Sequence, residues 1–173
     1  MKKRIRNSIV LLAGSAISGL LFLALIFTLP AGNAQKHVRK SAAVMLNGER
    51  EGICEEIFRI NDSFTNALMV QNALEKQDGE SPLKAAVYIW HHDLGDDTTW
   101  LTEESLEYFV ENGTDGMYLK EYSKYWHGYL LWLKPLLILM SWENVQIFLA
   151  VLQILLMAAV VVAAVCKKKA GAG

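Results

Sequence analysis

Two long blocks without a charged residue constrain this chain more than anything else in it. The first lies between Arg6 and Lys36, and its apolar part, SIVLLAGSAISGLLFLALIFTLP, runs from Ser8 to Pro30. The second, NVQIFLAVLQILLMAAVVVAAVC, fills the interval between Glu143 and Lys167. A helix needs ~20 apolar residues to cross a hydrocarbon core about 30 Å thick, and each block reaches that length. The chain has 173 residues, 53% of them hydrophobic. Apolar content gathered in this way fits membrane spans, with a buried helix of a soluble core as the competing explanation.

Basic residues beside a span stay on the cytoplasmic side. Lys2, Lys3, Arg4 and Arg6 precede the first block, and Lys167, Lys168 and Lys169 follow the second. Both termini are therefore expected in the cytoplasm of a multi-pass cell-membrane protein. The expected fold class is an all-α membrane protein, two transmembrane helices flanking a helical extracytoplasmic domain. The divisions are a cytoplasmic N-terminus (1–7), a first span (8–30), an acidic outer domain (31–117), an aromatic interfacial or re-entrant helix (118–141), a second span (142–166) and a basic cytoplasmic tail (167–173). A cleaved signal peptide ending near Gly32 and Ala34 is the alternative for the first span, although its apolar stretch exceeds the 7–15 residues of a signal core.

Residues 31 to 128 hold nine Lys/Arg against seventeen Asp/Glu, a net −8 inside a chain whose total is −1. Such an acidic segment excludes nucleic acid as a partner, because phosphates need a positive surface. The lipid bilayer is the partner that the basic ends imply. Cys54 and Cys166 fall on opposite sides of the expected membrane, so no internal disulfide joins them. The order of elements reads as a helix over about 50–60, an amphipathic helix capped by Asp62 or Ser63 and stopped by Gly79, a helix from Ser81-Pro82 to about His91, and a helix from Thr102 to Gly113. AGNAQKHVRK, after the first block, reads as a polar stretch, and no period-two strand pattern persists.

From Tyr118 onward aromatic residues recur three or four positions apart: Tyr118, Tyr122, Tyr125, Trp126, Tyr129 and Trp132. Tyrosine and tryptophan favour the headgroup region, so this stripe is expected on the outer membrane surface, with a kink at Pro135. Within it His127, Lys134, Trp126 and Tyr129 are the candidates for a lipid phosphate or for the interface. Lys134 and Glu143 have two readings each, snorkelling at the membrane edge or holding a lipid-linked substrate.

WHHDLGDDTTW, residues 90–100, concentrates polar groups between two tryptophans. His91, His92, Asp93, Asp96 and Asp97 are ligand types for zinc, manganese or calcium, and a divalent cation is the cofactor they would take. The spacing matches no zinc or calcium loop, so the leading expectation is a solvated acidic loop between helices. Asp62, Asp93, Asp96 and Asp97 are also the candidate catalytic carboxylates. Asn61-Asp62-Ser63 and Asn112-Gly113-Thr114 fit the short N-glycosylation pattern.

YSKYWHGYLLWLKPLLILMSWENVQ, residues 122–146, resembles a segment of uncharacterised bacterial polytopic membrane proteins in which Tyr-Trp-His-Gly-Tyr precedes a basic residue, a proline and leucines. NDSFTNALMVQNALEKQDGESPLKAA, residues 61–86, is similar to a helix after the first span of the same proteins. Their layout resembles the N-terminal part of membrane glycosyltransferases of the C-type fold, which take sugars from polyprenyl phosphate. The resemblance covers under a third of the chain and implies an acidic residue of the outer loop as catalytic base or metal contact. Such enzymes carry many spans, so a chain with two is expected to be an N-terminal piece of a longer protein or a different kind of protein. The leading functional expectation is a non-catalytic or partial membrane component engaging lipid-linked material, such as a lipid-linked sugar, or a membrane-protein partner through residues 118–143. A fragment or subunit of a polyprenyl-phosphate-sugar glycosyltransferase and an external divalent-cation sensor at residues 91–97 are the alternatives.

Overall fold

The two uncharged blocks form the two longest helices of the computed structural model, which describes residues 2–47, 63–75, 79–122 and 127–170. In chain order the elements are α1 (Lys2–Ile26), α2 (Gly32–Asn47), α3 (Ser63–Leu74), α4 (Pro82–Val87), β1 (Trp90–Asp93), α5 (Thr102–Asn112), β2 (Tyr118–Glu121), α6 (Leu130–Leu139) and α7 (Trp142–Ala170). The described chain is mostly helical, with one antiparallel two-stranded ribbon. Asp62, Cys54, Trp126 and the helix expected over 50–60 lie outside the described residues.

α1 and α7 are long and apolar enough to cross a membrane. Along most of their length they are exposed: Leu12 is 67% exposed and Ile154 68%. Only the ends that face each other in the sequence enter the core, Leu23 and Phe27 from the first, Trp142 and Val145 from the second. Pro30 stops α1, whose final turn tightens through Thr28 N–H to Leu25 O and Leu29 N–H to Ile26 O.

The stretch expected as a polar connection, AGNAQKHVRK, is instead the first part of α2. Ala34, Val38, Ala42 and Met45 fall on one face of that helix and are all buried. Half of the stripe is alanine, so it carries little hydrophobic signal, while Lys36, Arg39 and Lys40 on the other faces dominate the reading. α2 packs against α5, α6, α3 and the start of α7. Arg39 Nη2 and Gln35 Nε2 donate to Val110 O near the end of α5, and His37 Nδ1 bonds Leu137 O near the end of α6. These are the carbonyls that a helix end leaves without an internal partner.

α3 starts where expected but ends at Leu74, short of Gly79, and its buried surface is broader than one stripe. Ala67, Leu68, Val70, Ala73 and Leu74 are buried together with Gln71 and Asn72, whereas Phe64 is exposed. Ser81 caps α4 by accepting from Lys84 N–H, with Pro82 at the first position. This helix ends at Val87, short of the expected His91. Tyr88, Ile89 and Trp90 are aromatic and β-branched residues that favour extended backbone, and β1 follows. It pairs with β2 in the register Trp90 to Glu121, His91 to Lys120, His92 to Leu119 and Asp93 to Tyr118.

That pairing adds a small ribbon to a chain that is mostly helical, as expected, and it corrects one reading: the interfacial helix expected over 118–141 opens instead as a strand. Three- and four-residue aromatic spacing suits a helix, but Tyr118–Glu121 gains more from backbone pairing with β1 than a helical turn would offer at that site. α5 matches its reading in full: it begins at Thr102, carries Glu103 and Glu104 in its first turn, and ends at Gly113, whose φ of 78° suits a residue without Cβ. α6 is a short apolar helix that keeps Pro135 inside it, and α7 begins at Trp142.

Candidate functional site

Alternation along β1 sends its two histidines to opposite faces. His91 and Asp93 point into the body and are fully buried, while Trp90 and His92 stay partly exposed. The solvated loop expected at residues 90–100 is therefore half interior. The reason lies in its neighbours: the strand is covered by α3 and α5, and Asn72 of α3, the loop N–H groups and Lys120 are the polar partners of what it buries.

On the inner face His91 Nδ1 lies 3.1 Å from Asn72 Oδ1. An amide oxygen only accepts, so the ring donates through Nδ1 and leaves Nε2 as an acceptor. Burial pulls the imidazole down to about 4; the Glu75 carboxylate at 4.0 Å opposes this, and His92 and Lys120 add to it. His91 is thus neutral at physiological pH. Asn72 in turn donates through Nδ2 to the Tyr129 hydroxyl, which burial raises to about 12.

Asp93 is committed to holding its own loop. Its Oδ1 accepts from Gly95 N–H at 2.6 Å and Leu101 N–H at 3.2 Å, and lies 3.5 Å from Lys120 Nζ. Lys120 also donates to Thr99 O and sits 4.3 Å from the centre of the Trp100 ring. Trp100 stacks on His91 at 5.8 Å and meets Tyr122 edge-on. The tryptophan that closes the quoted stretch therefore covers its first histidine. Gly95 is needed here because a Cβ would lie 2.6 Å from Thr99 O.

Asp96 is engaged in the same manner at the surface. One oxygen accepts from the backbone N–H and hydroxyl of both Thr98 and Thr99, bonds that lower its carboxyl to about 2. Asp97 is exposed. Among the described residues no three His, Cys, Asp or Glu groups come together to hold a metal ion.

Two of the residues expected at a lipid phosphate, Lys134 and His127, are in the interior, and Tyr129 is partly buried. Lys134 is 2% exposed, with Nζ 5.4 Å from the Phe27 ring centre. His127 is 4% exposed and packs between the rings of Tyr122 and Tyr129. Lys134 does not snorkel because α6 turns that face toward α1 and the core. Glu143, the other edge residue, accepts from Ser41 Oγ of α2 at 2.8 Å.

The outer face of β1 has a different character. Beside Trp90 and His92 a cleft of about 20 Å³ lies among Phe27, Glu75, Glu80 and Tyr88. Glu75 comes from the end of α3, where Oε1 accepts from Gln71 Nε2 at 2.7 Å and from His92 N–H at 2.9 Å. Glu80, before the α4 cap, has a side chain only 4% exposed and lies 3.7 Å from Lys84 Nζ. Sequence reasoning missed both carboxylates. The available signal was Gln71 and Glu75, four residues apart on a helix otherwise apolar on that side. No protein-family model, curated protein or solved structure matches the chain.

Proposed function

We propose that the chain is a two-span cell-membrane protein whose helical domain stands on the extracytoplasmic side and acts as a non-catalytic component, engaging lipid-linked material or a membrane partner. The observation that carries this reading is the exposure of two apolar rods from one body. Leu21 of α1 and Val160 of α7 are 60% and 64% exposed, a surface that water disfavours and hydrocarbon does not. A core helix of a soluble protein would be covered along its length. A removed leader would take Leu23 and Phe27 out of the core and, if cut near Ala34, would begin the mature chain inside α2. The lysines and arginines at the two ends support cytoplasmic termini.

The non-catalytic part of the reading is supported by how the carboxylates are used. Asp93 Oδ1 and Asp96 Oδ1 are both spent on the loop that contains them, and Asp93 is fully buried, a use that suits a structural role more than that of a transferase base. The test is labelling in intact cells. With Cys54→Ser and Cys166→Ser as background, Asp97→Cys is expected to react with a membrane-impermeant maleimide, and a cysteine in place of Gly173 is expected to react only after lysis. Reaction of the second without lysis, or release of the protein by alkaline carbonate, overturns the proposal.

A further inference from the structure

The cleft on the outer face of β1 combines carboxylates, aromatic rings and incomplete hydrogen bonding. Glu75 and Glu80 both line it. Their side chains are 6% and 4% exposed, yet Glu75 Oε2 and Glu80 Oε1 accept no hydrogen bond among the described residues. Buried carboxylate oxygens left in that state are costly unless a donor reaches them. Lys84 gives Glu80 one distant charge at 3.7 Å from a side chain that is itself 59% exposed. His92 Nδ1, 3.3 Å from Glu75 Oε1, is a further nitrogen in the same lining without a bond.

We infer that this cleft binds a primary ammonium group. Several donors on one compact positive centre are what two under-bonded carboxylates call for, and an ammonium head carries three. Phe27, Tyr88 and Trp90 in the lining give it largely apolar walls beside the carboxylates. A volume of about 20 Å³ suits a compact, water-sized head. The ammonium has two sources, a small soluble amine or an ethanolamine lipid headgroup. The lipid source rests on the membrane reading above, because Phe27 directly follows the span-length part of α1 and would then sit at headgroup height.

The full chain in detergent is titrated with ethylammonium chloride against potassium chloride of equal ionic strength, and the heat of binding is measured. Wild type is expected to show saturable binding of ethylammonium beyond potassium, weakened roughly tenfold or more in Glu75→Gln and Glu80→Gln. Glu75 also anchors β1, so Glu80→Gln is the variant that decides if Glu75→Gln fails to fold. Absence of saturable ethylammonium binding by wild type, or wild-type affinity in Glu80→Gln, overturns the inference. A second arm repeats the titration in phosphatidylglycerol vesicles with and without phosphatidylethanolamine. Competition by the second lipid supports the ammonium site and assigns its ligand to the headgroup; undiminished binding supports it with a soluble amine. If the chain does not associate with vesicles the membrane reading fails, while the detergent titration still tests the cleft.

Discussion

Ser41 of α2 donates to Glu143 of α7 across 102 positions of sequence, at 2.8 Å, and the same hydroxyl accepts from Trp142 N–H at 3.3 Å. One buried oxygen therefore satisfies a first-turn N–H of α7 and a carboxylate beside it, fixing where the second long helix leaves the body. Ser41→Ala removes both bonds without changing the packing of the small-residue face of α2. The expected loss is roughly 1–3 kcal/mol, the cost of stranding buried polar groups. Thermal melting of the detergent-solubilised protein measures it, and an unchanged melting temperature would show that the junction is held by apolar contacts alone.

The pair formed by Asp93 and Lys120 makes a second prediction. Both side chains are almost fully buried, at 0% and 5% exposure, and 3.5 Å apart. Lys120→Met keeps much of the stem packed under Trp100 but leaves the aspartate with backbone donors only. It is expected to cost about 3 kcal/mol, since removing one member of a buried pair strands the other. Asp93→Asn combined with Lys120→Met should cost less than the two changes added together, as a double-mutant cycle on melting curves would register. Strict additivity would mean that the charges do not interact.

This pair also shows what the sequence could and could not say. The long helices were readable because an uncharged run of more than twenty residues has few other uses, and α5 because Glu103, Glu104 and Gly113 mark both its ends. The ribbon was not. A strand reveals itself when alternate residues are apolar and buried, whereas β1 buries His91 and Asp93 and leaves Trp90 half-covered. Lys120 of β2 is likewise the buried member of its strand. Polar residues inside a fold are visible only through their partners, and those of His91 and Lys120 come from α3 and from the loop after β1, 19 and 21 positions away. The same reason hid Glu75 and Glu80, which read as ordinary solvated charges, and placed Lys134 at a membrane edge when it is interior.

Gly95 supplies a local test of the loop. A Cβ there would lie 2.6 Å from Thr99 O and 2.8 Å from Asp93 Oδ1. The first neighbour is backbone and the second is held by Leu101 N–H and Lys120, so neither yields easily. Gly95→Ala is expected to destabilise by roughly 1–3 kcal/mol, the range for forcing extra volume into a packed site. Proteolysis of the loop should accelerate in parallel. Wild-type melting in this variant would show that the loop has slack.

His91 makes the body sensitive to acid, and the sign follows from its depressed titration. The folded ring titrates at about 4 against 6.5 when exposed, chiefly because it is buried. Between these values the unfolded chain binds a proton that the folded chain refuses, so stability falls as pH drops from 6.5 to about 4 and levels off below. The contribution is fully present above 6.5 and amounts to roughly 3 kcal/mol on the scale of 1.36 kcal/mol for each tenfold change in proton affinity. The Glu75 carboxylate, 4.0 Å from the ring, softens the penalty without reversing it, and His92 and Lys120 add to it. His91→Gln can keep a donor toward Asn72 and has no proton to gain. Melting temperatures measured from pH 7 to pH 4 should therefore fall more steeply in wild type than in His91→Gln. Parallel slopes would mean that the imidazole takes up its proton alike in the folded and unfolded chain, and that burial does not control it.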